Sequence, residues 1–419
     1  MKYTISVAKF LLLTHIYPPA IDGGSRVIAK MGEFLQSNNH QVSIITTNCQ
    51  STDDFTSSRH SQIKFEDCRL NILRLPVITL FHRPFKFLGR FFPNFKTLSK
   101  GPIFSPVSCF SFLVSVLRFH PDYILAGPLP TTMVLYANFL KNFINIIYKI
   151  NNFPSFSQRR GLRGRFCKLL INASFHPTDP DFQTPILLNT LKSADYIWTL
   201  TDFETNYFNK KLNIPKSKLI LLGNGIDKSF IKKSPPSSRG NKRGFNLLFI
   251  GSFSAHKDIP TLITAFSLLP SKYTLTLAGQ KTLYFPVIQK QIDSLPLSIK
   301  KRIKIITSFP DSDLSKLIDN CSILISPSTQ ESFGLVLLEA LARGKPVIAA
   351  DIPASMEIVK KTKGGFIFKQ KDPEDLASKI IKLPSLITSN LLHFSSSYLS
   401  NHYTWDKIGE KLCKKLDIY

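Results

Sequence analysis

The sequence predicts an α/β protein built from two doubly wound domains facing a cleft. Three observations predict it. Strand–loop–helix–strand units occur in both halves, at 7–47 and again at 322–351, and such alternation builds parallel sheets covered by helices. The chain has 419 residues, too many for one core. Between the halves, residues 229–245 are rich in Pro, Ser and charge, the composition of a linker. The domains expected are therefore 1–228 and 246–399, with a last helix over 400–419.

In chain order, an apolar run at 7–14 is the first strand. The loop Tyr17-Pro18-Pro19-Ala20-Ile21-Asp22-Gly23-Gly24-Ser25-Arg26 follows it, and then a helix from about Ser25 to Ser37. Val42 to Thr47 is the second strand, which closes a βαβ unit. Gly23 and Gly24 let backbone approach a ligand and feed amides into the helix start. A lone glycine pair is more often a tight turn, and the spacing is not G-x-G-x-x-G. Further strands are expected at 120–127 and 143–150, then a helix at 187–193, a strand at 194–199, a helix at 202–211 and a strand at 219–222. Asn224-Gly225-Ile226-Asp227 has the composition of a type I′ or II turn. In the second half, strands are expected at 246–251, 322–326 and 345–351. Ala278-Gly279 and Ser308-Phe309-Pro310 end two more, and Asp313 is expected to cap a helix running to Asn320.

The stretch from Pro327 to Ala342 is the densest in chemistry. Glu331 precedes an expected helix and Glu339 lies inside it, with Ser332-Phe333-Gly334 between them and Gly344 as the helix stop. A helix N-terminus presents unpaired amides and a partial positive charge, so the amides of Phe333, Gly334 and Leu335 suit a phosphate. Glu339 lies about 7–8 Å deeper along the axis, where a carboxylate accepts from ribose hydroxyls. The pattern points to a nucleotide-sugar site. The bland alternative is an amphipathic helix with two solvated acids.

Composition narrows the classes. The six cysteines are scattered with no C-x-x-C spacing, which fits neither a zinc site nor a disulfide framework and suits a reducing, cytoplasmic compartment. The apolar run at 7–13 is short and soon followed by Pro and Gly, so a strand is expected there and not a leader. No apolar run reaches the ~18–20 residues of a spanning helix. With 54 basic and 28 acidic residues the net charge is +26, which favours anionic partners. Residues 81–96 interleave aromatics with cations, a pattern that fits an anionic membrane surface or an acceptor-side loop. Nucleic acid is not expected as a partner.

The Glu331…Glu339 spacing, with Ser-Phe-Gly between, resembles the retaining glycosyltransferases of family 4, which have the GT-B fold. Pro18-Pro19…Gly23-Gly24 and Asn224-Gly225-Ile226-Asp227 resemble further family motifs. The resemblance implies that Glu331 lies close to the donor sugar, that Glu339 binds the ribose and that the intervening amides hold the diphosphate. It implies that the first domain takes the acceptor, with Gly23, Gly24 and Arg26 near the donor phosphates, and that the last helix crosses back onto that domain. Gly251-Ser252-Phe253-Ser254-Ala255-His256-Lys257 is similar to the family's G-R-x-x-x-x-K loop. Lys257 matches, whereas Ser252 stands where many relatives have Arg, so a second cation must come from elsewhere, with His256 and Arg26 the candidates. His176 is the candidate sugar-contacting histidine, with Asn151 and Asn152 in a comparable place and a loop histidine held by neighbouring backbone as the structural alternative.

The activity so implied is transfer of a hexose from a UDP-, GDP- or ADP-sugar to a glycan or lipid-linked acceptor in polysaccharide assembly. No cofactor and no metal are expected, and Asp179-Pro180-Asp181 and Asp311-Ser312-Asp313 are D-x-D in form only. The alternatives are a nucleotide-sugar 2-epimerase of the same fold and a non-catalytic polyanion- or lipid-binding relative.

Overall fold

The computed structural model describes residues 7–17, 23–49, 71–77, 82–88, 90–91, 94, 102–104, 106–127, 132–150, 167–173, 184–231, 244–386 and 388–418. The chain divides into two compact units. Unit 1 is Met1–Gly223 with Ile408–Tyr419, and unit 2 is Asn224–Lys407. Most of the expected linker lies outside the described residues.

Unit 1 is built on seven parallel strands, β1 (Lys9–Leu13), β2 (Gln41–Thr47), β3 (Asn71–Leu75), β4 (Tyr123–Ala126), β5 (Lys168–Ala173), β6 (Tyr196–Thr199) and β7 (Leu219–Leu221). Their order is β3-β2-β1-β4-β5-β6-β7. Phe10, Leu11, Leu12 and Leu13 of β1 are all buried, the continuous apolar run of a strand covered on both faces. The helix Gly23–Ser37 connects β1 to β2. The end of the chain packs into the same unit. Gly409 lacks the side chain that would meet the Phe34 ring at 2.2 Å, and the Tyr123 hydroxyl donates to the Leu416 carbonyl at 3.3 Å.

Two expectations are corrected, one in this unit and one at the start of unit 2. Residues 143–150 are not a strand but the end of the helix Thr132–Ile150, with Ile144 buried and Ile146 exposed, as a helical face requires. The strand that fills that place is β5, and β3 was also not expected. The segment 224–227 is not a simple turn. Ile226 bridges to Thr404, and Gly225 lies so close to Trp405 that a Cβ would fall 2.6 Å from the indole.

Unit 2 has six parallel strands, β8 (Phe245–Ile250), β9 (Tyr273–Ala278), β10 (Ile303–Ile306), β11 (Ile323–Ser326), β12 (Val347–Ala350) and β13 (Gly365–Phe368). Their order is β10-β9-β8-β11-β12-β13. Leu247 and Phe249 of β8 join Ile323 and Ile325 of β11 in one core with the helices Ile259–Ser267 and Pro373–Leu386. The helix expected from Asp313 begins at Asp311, after Pro310. Asp313 therefore sits in its first turn, where the helix dipole favours a carboxylate, and pairs with Lys316 at 2.8 Å. The last helix is Trp405–Leu416, five residues shorter at its start than expected, because residues 400–402 end the preceding helix Ser389–His402. Among the described residues, no helix is long and apolar enough to cross a membrane.

Candidate functional site

In unit 2 the strand order reverses between β8 and β11, and an open α/β sheet receives ligands outside the carboxyl ends of the strands at such a point. Two loops leave those ends, 251–258 after β8 and 327–334 after β11. They carry Lys257 and Glu331.

The first loop is held by close backbone packing. The amide of Gly251 donates to Ala278 O at 3.0 Å, and a Cβ on Gly279 would fall 1.7 Å from the Gly251 carbonyl, so no side chain fits there. A one-turn 3-10 segment, Ala255–Lys257, follows, with Lys257 N bonded to Ser254 O at 3.0 Å. The Lys257 stem lies over Gly251, whose missing Cβ would be 3.6 Å from Lys257 Cε. Asp258 then takes a left-handed φ of 44° and turns the chain into the helix Ile259–Ser267. Its carboxylate accepts from Thr261 Oγ1 at 2.8 Å, and burial pushes its pKa up.

The second loop meets the first. Lys257 Nζ donates to Glu331 Oε1, and both side chains are only 17% exposed. Ser328 Oγ donates to the same carboxylate oxygen at 3.0 Å. Thr329 donates twice to the carbonyl of His256, from its amide at 2.8 Å and from Oγ1 at 3.1 Å. Serine and threonine reach backbone and neighbouring carboxylates over such short spacings, which fixes the loop locally. Ser328 and Thr329 were not singled out from sequence. The signal available was a serine three residues before Glu331.

The helix Leu335–Ala342 opens at the last of the three residues whose amides were expected to suit a phosphate. Gly334 caps it with φ 89° and ψ 51°, a left-handed conformation natural to glycine. Leu335 therefore opens the helix, and Leu337 N already bonds to Gly334 O at 3.0 Å. Phe333 lies before the cap with its ring buried, 5.9 Å from the Tyr403 ring. Glu339 is buried in the second turn. Beyond it, Gly344 adopts φ 69° and its amide bonds to Leu341 O at 2.9 Å, the expected stop. Arg343 pairs with Asp319 through two nitrogens, Nε at 2.7 Å from Oδ1, and so ties the end of this helix to the helix Asp311–Asp319.

Around Lys257 the loop carries polar side chains in series. Ser252 Oγ lies 3.1 Å from Ser254 Oγ, which lies 3.2 Å from His256 Nδ1. Partial burial of the His256 ring lowers its pKa. The Lys257 ammonium lowers it further, and Glu331 pulls the other way.

In unit 1 the order reverses between β1 and β4. Gly23 and Gly24 are the first two residues of the helix after β1, with Arg26 in its first turn, so the glycines belong to the helix start itself. His176, Asn151, Asn152, Asp179 and Asp181 lie outside the described residues. Lys257 and Glu331 are thus brought together, with Gly251 beneath Lys257. Gly334, Leu335 and Glu339 lie on the continuation of the Glu331 loop.

The model of the family "Glycosyl transferases group 1" matches residues 230–386. O-antigen chain mannosyltransferase B of Escherichia coli is 24% identical over 256 residues, 58% of this chain and 66% of that protein. The alpha-1,3/1,6-mannosyltransferase ALG2 of Saccharomyces cerevisiae is 23% identical over 400 residues, 84% of this chain and 72% of that one. Three of the curated relatives are matched over only 66%, 57% and 54% of their own length. Among solved structures, Anabaena HepE in complex with UDP and glucose superposes with a TM-score of 0.66 at 17% identity, covering 98% of this chain and 99% of that one. The lipopolysaccharide glycosyltransferase WaaG superposes at 0.59, also at 17% identity, over 98% and 99%. These likenesses show the GT-B fold. The family model lies over the segment that holds Lys257, Glu331 and Glu339, so residues 230–386 are similar to the group 1 glycosyl transferases.

Proposed function

We propose that the chain moves a sugar from a nucleoside-diphosphate sugar to a hydroxyl of a glycan or lipid-linked acceptor, with retention at the anomeric carbon and without a metal. The observation that carries this is the Lys257–Glu331 pair, which joins the two loops at the strand-order reversal of unit 2. The names of relatives support the class: mannosyltransferases by sequence, and a neighbour of the same fold that binds UDP and glucose.

The residues suit the chemistry in a definite way. As the glycosidic bond breaks, negative charge builds on the departing diphosphate, and fixed cations and amides aimed at that charge lower the barrier. Lys257 and the first amides of the helix opened by Leu335 supply them, which is the role a metal plays elsewhere. Glu331, fixed by Ser328 and Lys257, orients sugar hydroxyls, and Glu339 deeper in the helix accepts from the ribose. The leaving phosphate takes the acceptor's proton during front-face attack. Unit 1 takes the acceptor, and its basic, aromatic segment near Lys86 meets an anionic membrane surface at the cytoplasmic face.

The deciding experiment supplies UDP-, GDP- and ADP-sugars with and without a hydroxyl acceptor and follows release of the nucleoside diphosphate. Acceptor-dependent release lost in Lys257→Ala and Glu331→Ala proteins supports transfer. Conversion of the donor alone into an epimeric nucleotide sugar would replace this reading with the 2-epimerase. A chain that binds none of the donors is a non-catalytic relative.

A further inference from the structure

A nucleoside diphosphate brings two or more negative charges to the loop after β8. Lys257 meets them already engaged by Glu331, and Ser252, not a cation, stands at the head of the loop. The same loop holds one more group able to carry positive charge, His256, joined by hydrogen bonds to Ser254 and through it to Ser252. The backbone beneath is fixed, since the His256 carbonyl accepts twice from Thr329 and Lys257 N bonds to Ser254 O.

We propose that His256 is the second cation for the donor diphosphate, taking up a proton from solvent as the nucleoside diphosphate binds and turning Ser252 into a donor to it. This inference rests on the donor reading above.

The direction of the chain makes the two events one. While the imidazole is neutral and Nδ1 accepts, Ser254 donates to His256 and Ser252 donates to Ser254, so no hydroxyl hydrogen is left over. Once Nδ1 carries a proton it donates to Ser254, Ser254 donates to Ser252, and the Ser252 hydrogen is released outward to an anion. The charged groups acting on the ring are Lys257 on its own loop and Glu331 on the facing one. Partial burial and Lys257 keep the ring neutral near pH 7 before binding, and an arriving anion reverses that balance. Charge is then added only when the ligand supplies its counter-charge.

The test is calorimetric titration of the full chain with UDP, GDP and ADP in two buffers of different ionisation enthalpy, which counts protons taken up per ligand bound. The wild-type protein is expected to take up on the order of half a proton at pH 7 and to bind more tightly as pH falls from 8 to 6. His256→Gln, which keeps the carbonyl contacts, is expected to lose that uptake and to bind about tenfold more weakly. Adding Ser252→Arg to it restores the affinity without restoring the pH dependence. If His256→Gln lowers the thermal midpoint, Ser254→Ala cuts the same chain and is measured in its place. Equal proton uptake in the wild-type and substituted proteins overturns the inference while leaving the donor site standing. Failure of the wild-type chain to bind any of the three diphosphates removes both.

Discussion

Thr329 donates both its amide and its hydroxyl to the carbonyl of His256, at 2.8 and 3.1 Å, and so ties the loop that carries Glu331 to the loop that carries Lys257. The amide bond belongs to any residue at that position, whereas the hydroxyl bond belongs to threonine or serine alone. Thr329→Val keeps shape and amide and removes one neutral hydrogen bond, a net loss of about 0.5–1.5 kcal/mol. Transfer is expected to fall about three- to tenfold, with the thermal midpoint moving by only a few degrees. Turnover equal to wild type would show that the amide alone sets the spacing of the loops.

Glu331 and Lys257 neutralise each other, so a diphosphate that needs Lys257 competes with Glu331 for it. Glu331→Gln is therefore expected to bind free UDP about three- to tenfold more tightly, or 0.7–1.4 kcal/mol, while transfer falls to about a hundredth of wild type or less. Lys257→Ala loses both. Calorimetry and a turnover assay on the same preparations separate these outcomes. Weaker UDP binding by Glu331→Gln would mean that the carboxylate shapes the phosphate site and does not compete with it.

Much of unit 2 is legible in the sequence because its local signals agree. The apolar run at 323–326, Gly344 as a stop and the next strand at Val347 mark one strand–helix–strand unit, and Glu331 and Glu339 fall where that unit puts its loop and helix. Residues 143–150 were misread for a physical reason. A run rich in Ile and Phe satisfies both a buried strand and the apolar face of a helix, and only its continuity with Thr132 decides. β3 and β5 are short and carry polar residues, so they rise little above the background of a chain rich in Asn, Lys and Ile. The pairing of Thr329 with His256 spans 73 residues and depends on strand order, which no local pattern contains.

A second titrating histidine bears on stability, not on the site. His40 is buried in unit 1, accepts from Ala8 N at Nδ1 over 3.2 Å, stands edge-on to Phe10 and lies 4.0 Å from Cys413 Sγ in the last helix. Burial lowers its pKa below the usual 6.5. The folded protein thus holds this ring neutral while the unfolded chain protonates it. The stabilisation is fully present above pH 6.5 and is lost as pH falls from there through the lowered folded value. Urea unfolding between pH 8 and 5 should show wild type losing stability over that window. His40→Gln, less stable at pH 8, should lose less of it, and parallel profiles for the two proteins would rule His40 out as the source.

Phe87 and Phe91 stand 58% and 66% exposed in unit 1, with ring centroids 5.6 Å apart and Lys86 and Arg90 exposed beside them. Two large aromatics in contact at the end of the helix His82–Leu88, flanked by cations in a chain of net charge +26, match the chemistry of an anionic bilayer surface. Each basic residue held near such a surface contributes about 1 kcal/mol, so Lys86→Gln with Arg90→Gln is expected to weaken partitioning about thirtyfold. Phe87→Ser with Phe91→Ser removes the part of the binding that resists salt, because burial of the rings is not screened. Sedimentation with phosphatidylglycerol vesicles measures both, with phosphatidylcholine vesicles as the uncharged control. Equal binding to the two vesicle types, or binding indifferent to all four substitutions, would move the membrane contact away from this segment.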